Sequence, residues 1–199
     1  MAAREIQILV FAFVGAPAAG KTEAASVAKE LGIPVITMGE VIREELRKRG
    51  LPLNDKNAGR VANELRAREG MDAVAKRCIP LIKAQRKSAG KNQKVIVVVV
   101  DGVRGIAEVE TFKKEFGNDF VLVRIDAPLS LRYERIKSRG RGDDLDLLSL
   151  EEFKNREKRE LGWGMEEAMK KADKVVKNTM SLEEFKEQVK GILPLDSFK

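Results

Sequence analysis

Histidine is absent from this 199-residue chain, and cysteine, tryptophan and tyrosine occur once each. Each shortage closes off a chemistry. Without histidine there is no imidazole base, no phosphohistidine carrier and no ordinary zinc site. The lone thiol, Cys78, excludes a disulfide framework and falls within the apolar face of a helical pattern, where it reads as core. One Trp and one Tyr supply little of the aromatic platform on which single-strand nucleic-acid binders stack bases. No apolar run is long enough to span a membrane. Arg4, the apolar stretch behind it and Ala16-Pro17-Ala18 imitate a signal peptide, but the stretch leads straight into a glycine-bearing loop and so reads as a first strand. A reduced, cytoplasmic setting with no membrane partner is expected.

Charge, by contrast, is abundant: 38 Lys and Arg stand against 31 Asp and Glu, a net +7. Both signs mix along helical stretches such as 40–49 and 151–158, the mark of solvated faces. Nucleic acid is therefore a possible but not a favoured partner, and small polyanions satisfy the same positive balance. The length fits one α/β domain, as monomer or homodimer.

The most informative stretch is Gly15-Ala16-Pro17-Ala18-Ala19-Gly20-Lys21-Thr22. Two glycines bracket four small residues, followed by Lys and a hydroxyl residue, which is the pattern of a phosphate-binding loop. Small residues let consecutive N–H groups curl around a polyphosphate, and the helix behind adds its positive end. Lys21 would neutralise β/γ oxygens of ATP, and the Thr22 hydroxyl would ligate Mg²⁺. Context agrees: Ile8–Val14 is an uninterrupted apolar run, as in a strand buried on both faces. Ala24, Val27, Ala28 and Leu31 then recur at helical spacing, and Gly32 sits at the expected helix end.

Strand and helix patterns go on alternating. Residues 33–37 read as a short second strand, followed by helices near 39–50, 57–69 and 71–86. Val95–Val100 is the strongest strand signal and belongs in the sheet centre. A helix near 105–117, a strand over 120–125 and a helix over 129–139 come next. A glycine- and aspartate-rich segment spans 140–149. Another long helix, a strand over 174–176 and a terminal helix complete the chain. This alternation predicts a three-layer α/β sandwich: about five parallel strands, helices on both faces, and a ligand at the carboxyl ends of the strands.

Asp101 closes the apolar third strand, where a carboxylate holds Mg²⁺ through water. Arg104 follows three residues on, and Thr37-Met38-Gly39-Glu40-Val41-Ile42-Arg43 puts Arg43 one turn beyond the second strand. Two arginines from different strand ends suit a bidentate grip on a second phosphate. Arg135 and Arg139 share a helix face, Arg141 lies in the glycine-rich segment, and Arg156 and Arg159 follow. Such crowding of guanidinium groups is costly unless anions sit among them.

Together these motifs resemble a P-loop nucleoside monophosphate kinase of the adenylate kinase superfamily with a short lid, within its archaeal adenylate-kinase-related group. The similarity runs from about Val10 to the C-terminus. Gly15–Thr22 matches the phosphate loop, and Thr37, Gly39 and Arg43 match the acceptor-phosphate motif. Asp101-Gly102-Val103-Arg104 resembles Asp-Gly-Phe-Pro-Arg shortened by one residue. The resemblance implies that Arg135 and Arg139 lie on the donor adenine and reach its phosphates, and that Arg141-Gly142-Asp143-Asp144 is the lid motif. It makes Arg156, or Arg159 a turn later, the last phosphate-binding arginine, with Asn178 at the adenine pocket. Lys21, Arg139, Arg141 and Arg156 would be catalytic. Glu108 stands where the family reads the acceptor base; a carboxylate only accepts, favouring paired N–H donors such as a guanine edge, or a sugar hydroxyl. The implied layout is one kinase domain with core 1–37, 71–138 and 150–199, an acceptor insert near 38–70 and a lid near 139–149. The implied activity moves the γ-phosphoryl of ATP-Mg to a nucleotide-like acceptor, first of all a nucleoside monophosphate. Dephospho-coenzyme A kinase and a nucleotide-dependent RNA or ribosome assembly factor are the alternatives.

Overall fold

A computed structural model describes residues 6–90, 93–139 and 149–194. The chain runs β1 (Gln7–Val14), α1 (Lys21–Glu30), β2 (Val35–Thr37), α2 (Met38–Lys48), α3 (Asp55–Glu69) and α4 (Ala73–Ala84). It continues through β3 (Val95–Val103), α5 (Ile106–Phe116), β4 (Phe120–Asp126) and α6 (Leu129–Arg139). Then come α7 (Leu150–Leu161), α8 (Met165–Lys170), β5 (Lys174–Lys177) and α9 (Leu182–Ile192). The strands form one sheet in the order β2-β3-β1-β4-β5, and every pairing is parallel. From β1 the chain fills one side of the sheet through β2 and β3, then crosses to β4 and β5. The ends of the strands flanking β1 are thus the topological switch point, where such sheets bind ligands.

The apolar runs explain the layers. Side chains alternate across a strand, so β1 serves two cores. Ile8, Val10, Ala12 and Val14 join the core packed by α2 to α5 and α8, whereas Phe11 and Phe13 join the one packed by α1 and α9. Phe13, Phe112 and Phe185 are wholly buried, and truncating any one to Ala would cost about 3–5 kcal/mol. A small third cluster, Ile136 and Phe153 with Tyr133 and Ala18, ties α6 and α7 to the phosphate loop.

Several boundaries differ from the sequence reading, among them β2, which starts at Val35 and not at 33, and α3, which starts at Asp55 and not at 57. β3 does not stop at Val100 but pairs on through Asp101 to Val103. Asp and Gly are poor strand formers, yet partners on both sides of the strand override propensity here. The helix expected over 71–86 is regular only over Ala73–Ala84 and ends in a 3₁₀ turn, Gln85–Ser88. The long helix after the glycine-rich segment is two helices, α7 and α8, with Gly164 at φ +84° starting the second.

Candidate functional site

The loop between β1 and α1 has the geometry of an anion cradle. Gly20 begins α1 at φ +112° with no side-chain cap, so the first N–H groups of the helix face outward unclaimed by a cap. A Cβ at Gly20 would lie 2.1 Å from Asn178 Nδ2, so only glycine fits. Ala18 is the only non-glycine residue with positive φ among the described residues, at +60°. An L-residue held there costs about 1–2 kcal/mol, a strain the rest of the loop sustains. Asn178, just past β5, donates from Nδ2 to Ala19 O at 2.9 Å and accepts from Arg135 Nη2 at Oδ1, 3.0 Å. Arg132 pins the other side, donating to Pro17 O at 3.2 Å and to Glu157 of α7 at 2.7 Å.

Lys21 opens α1 and folds back over the cradle, donating to Gly15 O at 2.6 Å and Ala16 O at 3.0 Å. Burial lowers its pKa to about 7; Arg104 and Arg156 push it the same way, while Glu160 and Asp101 pull against them. An ammonium held at such cost is poised for a polyanion.

Across the cleft, Asp101 pairs in register with Phe13 of β1 and Thr37 of β2. The next residue, Gly102, is an extra residue against β1, since Phe13 faces Asp101 and Val14 faces Val103. At φ +103° it is a glycine bulge that re-aims the strand end toward Arg104. One cleft of about 880 Å³ is lined by Pro17, Ala18, Gly20, Lys21 and Thr22 from the loop, with Thr37, Gly39, Arg43, Asp101 and Arg104 opposite. Arg135, Arg156 and Asn178 line it as well. The structure thus brings together most of the residues picked out in sequence. Arg141 falls outside the described residues, and of Arg139 only the backbone is described.

Glu108 is the departure. It was expected at the acceptor base, but it is fully buried, with Oε1 on Arg66 Nη2 at 2.8 Å and Oε2 on the Arg104 backbone N–H at 2.7 Å. Its reason is local: Arg66, packed 4.1 Å over the Trp163 ring, needs a counter-charge in the core. Arg156 and Arg159 also divide. Arg156 lines the cleft, while Arg159 Nη2 grips both oxygens of Asp55 at 2.9 Å and lines only the neighbouring pocket.

Sequence reading missed the carboxylate at the centre. Glu160 of α7 is 2% exposed and holds Arg104 Nη1 and, at 3.2 Å, Arg156 Nε. Burial alone would raise its pKa, but Arg104, Arg156 and Lys21 outweigh that and hold it at about 2. The only signal in sequence was its i, i+4 spacing from Arg156. Asp55, at the start of α3, was missed too.

The residues fit Mg²⁺. Thr22 and Asp101 are hard oxygen donors on one cleft, and Mg²⁺ usually takes one or two protein oxygens beside water and substrate phosphates. No cluster of three or more acidic or thiol side chains able to hold a metal occurs among the described residues. Nor is any helix among them long and apolar enough to cross a membrane. Arg47 of α2 pairs with Glu40 at 2.5 Å, and Arg49, just past α2, pairs with Glu45 at 2.8 Å and with Glu64 of α3 at 2.5 Å.

A glycine-rich cradle behind β1, in a five-stranded parallel sheet layered by helices, defines a P-loop kinase-like domain. Comparison agrees: the family described as AAA domain matches residues 14–154. The chain belongs to the UPF0200 family. It is 50% identical to the UPF0200 protein of Methanosarcina mazei over 92% of this chain and 93% of that one. It is 55% identical to the UPF0200/UPF0201 protein of Archaeoglobus fulgidus over 94% of this chain, but spans only 56% of that relative's length. Among solved structures, dephospho-CoA kinase from Campylobacter jejuni superposes with a TM-score of 0.56 at 19% identity, over 96% of this chain and 98% of that one. At that identity the likeness speaks for the fold.

Proposed function

We propose that this protein is an ATP-dependent phosphotransferase that moves the γ-phosphoryl of ATP-Mg to a nucleotide-like acceptor, in the first place a nucleoside monophosphate. One observation carries the reading: a single cleft joins the phosphate cradle, Asp101 and four arginines, Arg43, Arg104, Arg135 and Arg156. Phosphoryl transfer needs positioning and charge stabilisation more than covalent chemistry, which suits a site without histidine or an accessible thiol.

The roles follow from position. Loop N–H groups such as those of Ala18 and Gly20 and the start of α1 hold the donor phosphates, and Lys21 leaves its carbonyl partners for the β/γ oxygens. Thr22 and Asp101 would hold Mg²⁺, which when bound neutralises charge on those oxygens. Arg135, fixed by Asn178, lies on the donor side. Arg43 and Arg104 grip the acceptor phosphate, with Thr37 and Gly39 at its edge. Arg156 stands between the two halves, where charge develops in flight.

The test is incubation with ATP-Mg and each nucleoside monophosphate or dephospho-coenzyme A, following ADP. Acceptor-dependent ADP formation is expected. A chain that neither binds nor consumes ATP with any of them contradicts the proposal.

A further inference from the structure

A second, smaller cavity of about 110 Å³ adjoins the cleft and shares Gly39, Arg43, Gly102, Arg104 and Arg156 with it. It lies where the body of the acceptor would go once its phosphate meets Arg43 and Arg104. Most of its wall is apolar, from Met38, Ile42, Leu46 and Ala62 to Trp163.

The polar part of the wall has a one-sided inventory. Four lining side chains carry strong acceptor oxygens: Asn54, Asp55, Glu108 and Glu160. Asn54 Oδ1 caps α3, accepting from Asn57 N–H at 2.9 Å. Both oxygens of Asp55 hold Arg159. Glu108 holds Arg66 and the Arg104 N–H, and Glu160 holds Arg104 and Arg156. Glu108 and Glu160 are 0% and 2% exposed, so neither has surface left for a ligand. Donors are in the opposite condition. Arg159 Nε is buried with no acceptor. Arg43 meets Glu40 through Nε alone, leaving both Nη groups without an acceptor among the described residues. A buried donor without a partner, in a wall whose carboxylates each already hold an arginine, marks a place for a ligand oxygen.

We infer that the acceptor's body is a single small ring edged by carbonyl oxygens and lacking an amino group, a uracil- or thymine-type base. The inference rests on the phosphotransferase reading and narrows it. Size points the same way, since sites for larger ligands run to about 300–1,000 Å³ and this cavity is well below that. Uracil and thymine bring a single imide N–H set between two carbonyls, whereas the exocyclic amino group of adenine, guanine or cytosine brings two N–H donors that crowd carboxylates already holding arginines or displace those arginines. Displacing Arg66 from Glu108 strands a guanidinium beneath Trp163, and displacing Arg159 strands Asp55. A carbonyl edge instead meets guanidinium donors. The sequence-based expectation of a guanine edge at Glu108 is thereby reversed.

The test is a matched pair, uridine and cytidine 5′-monophosphate, whose pyrimidine edges differ in a carbonyl replaced by an amino group and an imide N–H replaced by a bare ring nitrogen. Each is titrated calorimetrically into the full chain saturated with ADP-Mg, with ribose 5-phosphate as the base-free reference. Uridine monophosphate is expected to bind at least about tenfold tighter than cytidine monophosphate, the cost of one unpaired buried donor, and tighter than ribose 5-phosphate. Equal or tighter binding of cytidine monophosphate overturns the inference and leaves phosphotransfer standing. So does failure of uridine monophosphate to bind while ADP-Mg binds. Failure of ADP-Mg itself overturns the reading beneath it, and this inference with it.

Discussion

Glu160 on α7, itself buried, and the half-buried Arg104 just past β3, 56 residues apart in sequence, form an ion pair at the junction of the two cavities. Arg156 completes it from one turn earlier on α7. The pair keeps two guanidinium groups facing one place without an anion present. Its stability has a defined pH window. The Glu160 pKa is about 2 in the folded chain against an ordinary 4.5, so its contribution is full above pH 4.5 and disappears as pH falls toward 2. That difference corresponds to about 3 kcal/mol. Glu160→Gln removes the carboxylate that Arg104 and Arg156 share, costing about 3–5 kcal/mol at pH 7. Urea midpoints measured from pH 7 to 2.5 should show the variant less stable at neutrality and less sensitive to acid; equally steep curves contradict the assignment.

Lys21 carries a signature of its own. With a pKa near 7 in the free chain, its amine is mostly neutral at pH 8. A triphosphate beside it favours the charged form, so ATP binding at pH 8 takes up about one proton. Calorimetry in buffers of different ionisation enthalpy reads this directly, and the uptake should vanish in Lys21→Met. Uptake that survives the substitution comes from another group.

Gly20→Ala and Gly32→Ala form a controlled pair. Both positions have positive φ, +112° and +76°, so each substitution carries a backbone penalty of about 1–2 kcal/mol. A Cβ at Gly32 meets nothing within 4 Å, whereas at Gly20 it strikes Asn178 Nδ2. Gly20→Ala is therefore expected to weaken ATP binding, through the Asn178–Arg135 contact, and Gly32→Ala to leave it unchanged. Equal affinities in a nucleotide titration would remove Asn178 from the account.

Arg43→Ala separates the two halves of the cleft. Losing a charge-assisted grip on the acceptor phosphate raises the acceptor KM about 10- to 100-fold, with the KM for ATP little changed. Equal effects on both constants place Arg43 elsewhere.

What was legible in the sequence was local. The β1 run, the glycine loop and the α1 periodicity lie within 25 consecutive residues, and the chemistry of each dictates its shape. β3 was legible because six successive β-branched residues fit only a strand covered on both faces. Its true end was not, since Asp101-Gly102 stays in the ladder only through Thr37 and Phe13 on neighbouring strands. The counter-ions were hidden for the same reason. Arg66–Glu108 spans 42 residues, Arg104–Glu160 spans 56 and Asp55–Arg159 spans 104. A lone carboxylate in a charged helix looks like solvated surface until the fold brings its arginine. Glu108, which the family resemblance sets at the acceptor base, is instead held by Arg66.

The central claim is that Lys21 in the loop acts on a triphosphate whose terminal phosphoryl passes to an acceptor held by the arginines opposite. The direct measurement is single-turnover transfer of labelled γ-phosphate from ATP-Mg to uridine 5′-monophosphate, by the native chain and by Lys21→Ala, with thermal melts run beside it. The account predicts labelled diphosphate from the native chain and a rate lower by at least about 10²-fold in the variant, with the fold retained. Transfer at the native rate without the Lys21 ammonium would contradict it.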